Sequence, residues 1–127
     1  MATGACAERI GFNRGDWYFW TKTAKFTDFG GEASEWPEFL EEHIIRHGIT
    51  DVVLYGDSRP LHRVARVIAK QHGITTLCFE EGYLRPYWAT YEREGTIGNS
   101  ALMVLSVSDI RRAVDAHPME LNEVPVQ

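Results

Sequence analysis

The feature that most constrains the fold is a strand-helix-strand pattern at the centre of the chain. Residues 51–55 (DVVLY) form an apolar, β-branched run without polar alternation, which predicts a strand of a parallel sheet covered on both faces. The apolar positions of residues 60–73 recur at helical spacing, with Pro60 suited to a first turn and Gly73 to a helix end. Residues 74–79 are again strand-like. The short connections predict a βαβ unit.

The flanking segments extend this alternation. Residues 9–13 predict a strand, and residues 34–48 predict a helix with Ser34 as its N-cap and Gly48 as its stop. Residues 17–31 are predicted to be a loop with an extended piece. Further along, an extended piece, a turn and a short helix are predicted at residues 87–94, 95–100 and 108–116. The predicted fold class is therefore α/β, with a doubly wound parallel sheet.

Length and composition narrow the class of protein. A chain of 127 residues with a formal net charge of -5 fits one globular domain and lacks the basic excess of a nucleic-acid-binding protein. Cys6 and Cys78 form neither a metal motif nor a disulfide framework, which favours a reducing cytoplasm. The first residues do not resemble a signal peptide, and no apolar run approaches the ~20 residues of a membrane helix. We expect a cytoplasmic protein whose membrane contact is peripheral.

Bursts of charge follow both central strands. The first reads GDSRPLH from Gly56, and the second reads EEGYLRP from Glu80. Parallel strands end at the same edge of a sheet, and ligands of open α/β sheets bind along that edge. We therefore expect side chains from two separate loops to converge on one crevice: Asp57, Arg59, His62, Glu80, Glu81 and Arg85.

Two interpretations of the first burst are open. In the functional one, Asp57 or Ser58 caps the helix, the free N–H groups at its start favour an anion, and Arg59 adds forked hydrogen bonds. In the structural one, Asp57 only caps, Arg59 pairs with a nearby acid, and His62 lies on the surface.

The second burst also has two interpretations. A carboxylate in a crevice can serve as general acid, general base or nucleophile. Because adjacent residues at a strand end point in opposite directions, only one of Glu80 and Glu81 is expected to face a ligand. Alternatively, one of these acids pairs with Arg85 and fixes the loop.

Weaker candidates lie elsewhere. The aromatic residues 13–20 (NRGDWYFW) can reach the same edge and cover a sugar face or an acyl chain, or they can be core. His43 and His47 have a spacing that can bind metal, but no third ligand accompanies them in the sequence, so we predict exposed side chains and no metal site. The chain contains no GxGxxG run, Walker loop or nucleophile elbow.

Four stretches taken in order, FNRGDWYFW, LYGDSRPLHRVA, FEEGYLRP and YWATYEREGTIGNS, resemble the capsular polysaccharide biosynthesis and export family of Gram-negative bacteria, and within it the S-type (KpsS/LipB-like) Kdo transferases. The resemblance covers roughly residues 10–100. It implies that residues 1–100 are an incomplete, Rossmann-like N-terminal half of a two-domain, GT-B-like glycosyltransferase. Residues 101–127 form a tail without resemblance, and the family's GVNGNS motif is replaced by TIGNS at Thr96.

The resemblance also implies an activity, namely transfer of Kdo from CMP-Kdo to a phosphatidylglycerol-type lipid at the inner membrane, with retention of configuration. The implied partners are the nucleotide sugar, the lipid acceptor and capsule assembly proteins, with no nucleic acid, no metal and no cofactor besides the CMP-Kdo donor. The catalytic candidates are Asp57, Glu80 and Glu81. The substrate-binding candidates are Asp16, Arg59, His62, Tyr83, Arg85 and Asn99.

Two other functions remain open at the level of the sequence. One is a non-catalytic binding module of the capsule assembly and export complex. The other is a generic nucleotide-binding α/β domain, which would bind many nucleotides without preferring CMP.

Overall fold

The structure, a computed structural model, describes residues 4–20, 24–82 and 87–117. Its elements, in chain order, are β1 (Glu8–Gly11), α1 (Arg14–Tyr18), β2 (Lys25–Asp28), α2 (Trp36–His47), β3 (Asp51–Tyr55), α3 (Pro60–Gln71), β4 (Thr75–Glu81), β5 (Ala89–Arg93), two short 3-10 helices (Ile97–Asn99 and Ala101–Val104) and α4 (Val107–Ala116).

The strands of the described residues form two sheets. β1 pairs with β2 in parallel. β3 pairs with β4 in parallel, with Tyr55 opposite Phe79, and β5 adds to β4 in antiparallel orientation. The predicted α/β class and the predicted βαβ unit of β3, α3 and β4 are confirmed, and the predicted extended piece near the end of the chain is β5.

The two long helices follow from their sequences. Pro37 lies in the first turn of α2, and Gly48 ends this helix in the left-handed conformation, as expected of a glycine stop. The predicted N-cap at Ser34 is wrong, because the helix begins at Trp36 and its N-cap is Glu35, whose side chain makes no cap hydrogen bond. On α3 the buried residues Ala65, Ile68 and Ala69 recur at helical spacing and face the core.

One hydrophobic core joins the two sheets and the two long helices. Its buried members are Phe29, Trp36, Leu40, Ile44, Leu54, Ala65, Ile68 and Cys78. Trp36 contacts Phe12 and Phe29 edge to face, and its Nε1 donates a hydrogen bond of 2.9 Å to the carbonyl of Leu61. This bond fixes α2 against the first turn of α3, next to the loop that follows β3.

Two expectations need correction. The segment predicted as a loop begins within α1, which the aromatic residues concealed by breaking the periodicity, whereas the extended piece predicted in this segment is the strand β2. β3 was expected to be covered on both faces, yet Val53 is 62% exposed and Tyr55 is 59% exposed. The prediction failed because a β-branched apolar run indicates a strand but does not report how many of its faces are covered.

Candidate functional site

Gly56 is the centre of a polar cluster at the carboxyl end of β3. Its amide donates a hydrogen bond of 2.7 Å to the carbonyl of Phe79 on β4, after which the backbone turns with φ of 75°, a conformation that favours glycine. The Nδ1 atom of His62 lies 2.6 Å from the carbonyl oxygen of Gly56. Glu80 Oε2 lies 3.2 Å from the position that a Cβ atom at Gly56 would occupy. A histidine and a carboxylate therefore each lie close to Gly56.

Asp57 lies beside this turn and is 3% exposed. Its Oδ2 atom accepts hydrogen bonds from the amide of Thr96 at 2.8 Å and from Nδ2 of Asn99 at 3.0 Å. The contact between Asp57 and Asn99 was not predicted from the sequence, which named Asn99 only as a substrate-binding candidate. We call Gly56, Asp57, His62, Glu80 and Asn99 the Gly56 cluster.

The interpretation of Asp57 as a helix cap is wrong. The N-cap of α3 is Arg59, which has an extended backbone and no side-chain cap bond, and Asp57 instead turns inward to the segment after β5. The physical reason is that Thr96 is fully buried, so its amide needs an acceptor. Arg59 is exposed at the start of α3.

Arg66 completes the environment of Asp57, and the sequence analysis missed it. Its Nη1 lies 3.7 Å from Asp57 Oδ2, and its Nη2 donates to the carbonyl of Glu94 at 2.5 Å. A second hydrogen bond, of 2.5 Å, runs from Ser100 Oγ to Glu92 Oε2. No local pattern in the sequence distinguishes Arg66 from an ordinary helix position, because its partners are distant in the chain. Together these contacts hold residues 94–100 against α3 and the loop after β3.

Glu80 and Glu81 end β4, opposite Thr90 and Ala89 of β5. By strand alternation, Glu80 shares the face of the buried Cys78, whereas Glu81 shares the opposite face. Both residues do lie within the strand, with Glu80 half-buried and Glu81 exposed, and which of them faces a ligand stays a prediction.

Gly82 follows these two acids and allows the chain to close tightly. A Cβ atom at this position would lie 2.5 Å from the carbonyl oxygen of Trp88, to which the Gly82 amide donates a hydrogen bond of 2.8 Å. Tyr83 and Arg85 lie outside the described residues, so their predicted contacts and the alternative pairing of an acid with Arg85 stay predictions.

Asp16 organises the turn between β1 and α1. Its Oδ2 accepts hydrogen bonds from the amide of Phe12 at 2.8 Å and from Nδ2 of Asn13 at 3.1 Å, and its Oδ1 lies 3.1 Å from Nη2 of Arg9. All three partners come from the segment just before it. A substrate-binding role for Asp16 stays a prediction.

Aromatic side chains of the same segment are exposed. Trp17, Tyr18 and Phe19 are 59%, 75% and 78% exposed, so the interpretation of these three residues as core is wrong. An open groove of about 870 Å³ lies here, lined by Asn13, Arg14, Gly15, Trp17, Tyr18, Phe26 and Asp28. The predicted apolar surface at this position is therefore present, and its size suits a small ligand or one acyl chain.

The two cysteines differ in their exposure: Cys6 is exposed and Cys78 is buried. Burial, followed by the nearby charge of Asp57, raises the pKa of the Cys78 thiol, so this buried cysteine is unsuited to act as a nucleophile. Cys6 and Cys78 are both free thiols, as the sequence predicted.

The predicted exposure of His43 is wrong. This residue of α2 is buried, and its side chain contacts Glu8 of β1, which is distant from it in the sequence.

Comparisons with known proteins converge on capsule polysaccharide. Residues 50–105 match a family described as capsule polysaccharide biosynthesis protein, a span that contains every member of the Gly56 cluster. The chain is 41% identical over 102 residues to the capsule polysaccharide modification protein LipB of Neisseria meningitidis serogroup A. It is 35% identical over 99 residues to the capsule polysaccharide export protein KpsS of Escherichia coli. No solved structure matches the chain significantly.

The matches cover most of this chain but a small part of its relatives. The LipB match spans 80% of the chain and 24% of LipB, and the KpsS match spans 78% of the chain and 25% of KpsS. In the described part of the chain, no helix has both the length and the apolar character needed to cross a bilayer.

Proposed function

Because this chain is related to the capsule polysaccharide proteins LipB and KpsS, as its motifs predicted, we propose that it forms one wall of the catalytic cleft of a capsule glycosyltransferase. The reaction is transfer of Kdo, an acidic sugar, from CMP-Kdo to a phosphatidylglycerol-type lipid. The observation that carries the proposal is the match of residues 50–105 to a capsule biosynthesis family over the whole Gly56 cluster.

Glu80 is the carboxylate that suits this chemistry best. It lies beside Gly56 at the carboxyl edge, where ligands of parallel sheets bind, and its side chain is half-buried. Retaining transfer is most simply two displacements, in which a carboxylate attacks the anomeric carbon or assists the leaving group. In this proposal Glu80 has that role and Glu81, on the other face of β4, does not touch the sugar.

The remaining members of the cluster bind and position. In this proposal His62, which contacts the carbonyl of Gly56, and the exposed Arg59 bind the phosphate or the sugar carboxylate of the donor. Asp57 acts as a positioning residue, because its Oδ2 is already engaged by Thr96 and Asn99.

The groove beside α1 provides the acceptor side. Trp17 and Tyr18 are exposed, polar-tipped aromatics, and with Phe26 they line an apolar channel of a kind that suits an acyl chain. Peripheral attachment to the inner membrane through this surface is part of the proposal.

The test is a mass-spectrometric transfer assay. Since the chain spans about a quarter of LipB, the assay uses LipB with its matching segment replaced by this chain, together with the 127-residue chain alone. The donor is CMP-Kdo generated in place, and the acceptor is a short-chain lysophosphatidylglycerol. A mass gain of one Kdo with the chimera supports the proposal.

The alternative functions give different outcomes. The open face of β3, with Val53 and Tyr55 exposed, favours a binding module as the second candidate. The binding module would be established by two results together. A folded chimera would transfer no Kdo while unmodified LipB transfers Kdo in parallel, and the chain would capture capsule assembly proteins. Equal binding of unrelated nucleotides would indicate the generic nucleotide-binding domain.

A further inference from the structure

A second polar cluster lies at the opposite end of β1 from the turn at Asp16. It contains Glu8, the first residue of β1, and His43 and His47, which lie one turn apart on α2. Ligand atoms of the three side chains all lie within 4.8 Å of one another. Glu8 Oε1 is 2.9 Å from His43 Nε2, and Glu8 Oε2 is 3.5 Å from His47 Nδ1. We call these three residues the Glu8 cluster.

His43 is held rigidly and points a nitrogen into the cluster. It is 8% exposed, and its ring stacks on Phe39 at 5.7 Å and on His47 at 4.3 Å between centroids. The Nε2 atom has no hydrogen-bond partner of acceptable geometry within the described residues, although Glu8 Oε1 is close. A buried nitrogen and a carboxylate oxygen at this distance need a proton or a cation between them.

Lys25 indicates where a cation fits. Its Nζ atom lies 3.3 Å from Glu8 Oε2 and 3.1 Å from His47 Nδ1, so the ammonium group lies between two of the three ligands. The Lys25 side chain is 54% exposed and can move out to solvent. On the other side, Thr27 Oγ1 donates to Glu8 Oε1 at 2.9 Å, the kind of outer hydrogen bond that orients a metal-ligating carboxylate.

We propose that Glu8, His43 and His47 bind a divalent transition metal of the zinc class, with water as the fourth ligand. Two imidazole nitrogens and one carboxylate oxygen are a ligand set that suits zinc, whereas magnesium and calcium prefer oxygen ligands alone. The helix sequence here is HIIRH, which lacks the glutamate that acts as general base in HExxH hydrolases. The proposed metal joins β1, which carries Glu8, to α2, which carries both histidines.

The experiment is a titration of the metal-free 127-residue chain with Co²⁺, followed by competition with Zn²⁺. The expected result is one equivalent of Co²⁺ with the intense visible absorption of a four-coordinate site, which Zn²⁺ abolishes. Glu8→Gln and His47→Ala should weaken binding at least about 100-fold, because each removes a ligand. Lys25→Met should tighten binding about tenfold, since the competing ammonium is gone.

A matched control is available where the end of α3 meets α2. His72 Nε2 lies 2.8 Å from Glu41 Oε1, a histidine-glutamate pair without a third ligand, so His72→Ala should leave the titration unchanged. His47 is the preferred ligand variant because its side chain is 28% exposed and its loss should not unfold the chain, which circular dichroism checks. Failure to bind Co²⁺, or binding that survives both ligand variants, would overturn the proposal.

Discussion

Replacing Asp57 with alanine should destabilise the chain severely and release residues 94–100. Asp57 is 3% exposed, and one of its oxygens accepts hydrogen bonds from Thr96 and Asn99. The variant removes the acceptor while leaving the amide of Thr96 buried, so the cost includes the desolvation of an unsatisfied donor as well as the lost bonds.

The magnitude follows from these contacts. A hydrogen bond to a charged group contributes about 1.5–3 kcal/mol to the free energy of unfolding, and an unsatisfied buried donor costs about 1–3 kcal/mol. The Nη1 atom of Arg66 lies 3.7 Å from Asp57 Oδ2, which is too far for a hydrogen bond, so this contact is weaker than the bonds from Thr96 and Asn99. Asp57→Ala should therefore lower the free energy of unfolding by about 3–5 kcal/mol, and Asn99→Ala, which removes one bond to the carboxylate, by about 1.5–3 kcal/mol.

The assay is urea unfolding followed by tryptophan fluorescence, combined with amide hydrogen exchange. Asp57→Ala and Asn99→Ala should couple by about 1–2 kcal/mol in a double-mutant cycle. Asp57→Asn, which keeps the shape of the side chain, should cost less than Asp57→Ala and keeps the measurement possible if the alanine variant is unfolded. An Asp57→Ala variant within about 0.5 kcal/mol of the wild type would refute this role of the carboxylate.

Three further outcomes are expected. Gly82→Ala should lower the free energy of unfolding by about 1–3 kcal/mol, because its Cβ atom would meet the carbonyl of Trp88. Gly30→Ala should have little effect, because the space around Gly30 is open. Equal effects of the two substitutions would contradict the close approach at Gly82. With a thiol reagent at mildly alkaline pH, Cys6 should react at once and Cys78 only after denaturation, and two rapidly reacting thiols would contradict the burial of Cys78. Burial raises the pKa of the Cys78 thiol in the folded chain, so the protonated thiol stabilises the fold below the ordinary thiol pKa, and this stability is lost as the pH rises above that value. In urea unfolding measured across the alkaline pH range, a Cys78→Ala variant should lose this pH dependence.

The central βαβ unit was predictable because each of its signals is local. The apolar run of β3, the first-turn Pro60 and the stop after α3 lie in one continuous stretch, and the strand β3 has the predicted bounds. The expectation that the residues after β3 and the end of β4 lie at one edge followed from the direction of parallel strands alone, and Glu80 does lie beside Gly56.

The parts that the sequence did not reveal depend on contacts between distant segments. Arg66 reads as an ordinary helix position, and only the return of residues 94–100 across α3 makes it a partner of Asp57 and of the carbonyl of Glu94. The same is true of Glu8, which lies far from His43 in the chain but 2.9 Å from it in the fold. Local patterns carry no information on such pairings.

The most direct measurement of the proposed function compares Glu80→Gln with Glu81→Gln in the LipB chimera, using the initial rate of Kdo transfer. The two substitutions are chemically identical and lie on opposite faces of the same strand end. We predict that Glu80→Gln lowers the rate by at least about 100-fold, in the range of a lost general acid or base, while Glu81→Gln stays within a few-fold of the unsubstituted chimera. Equal rates for both variants and the unsubstituted chimera would contradict the assignment of the Gly56 cluster as the catalytic site.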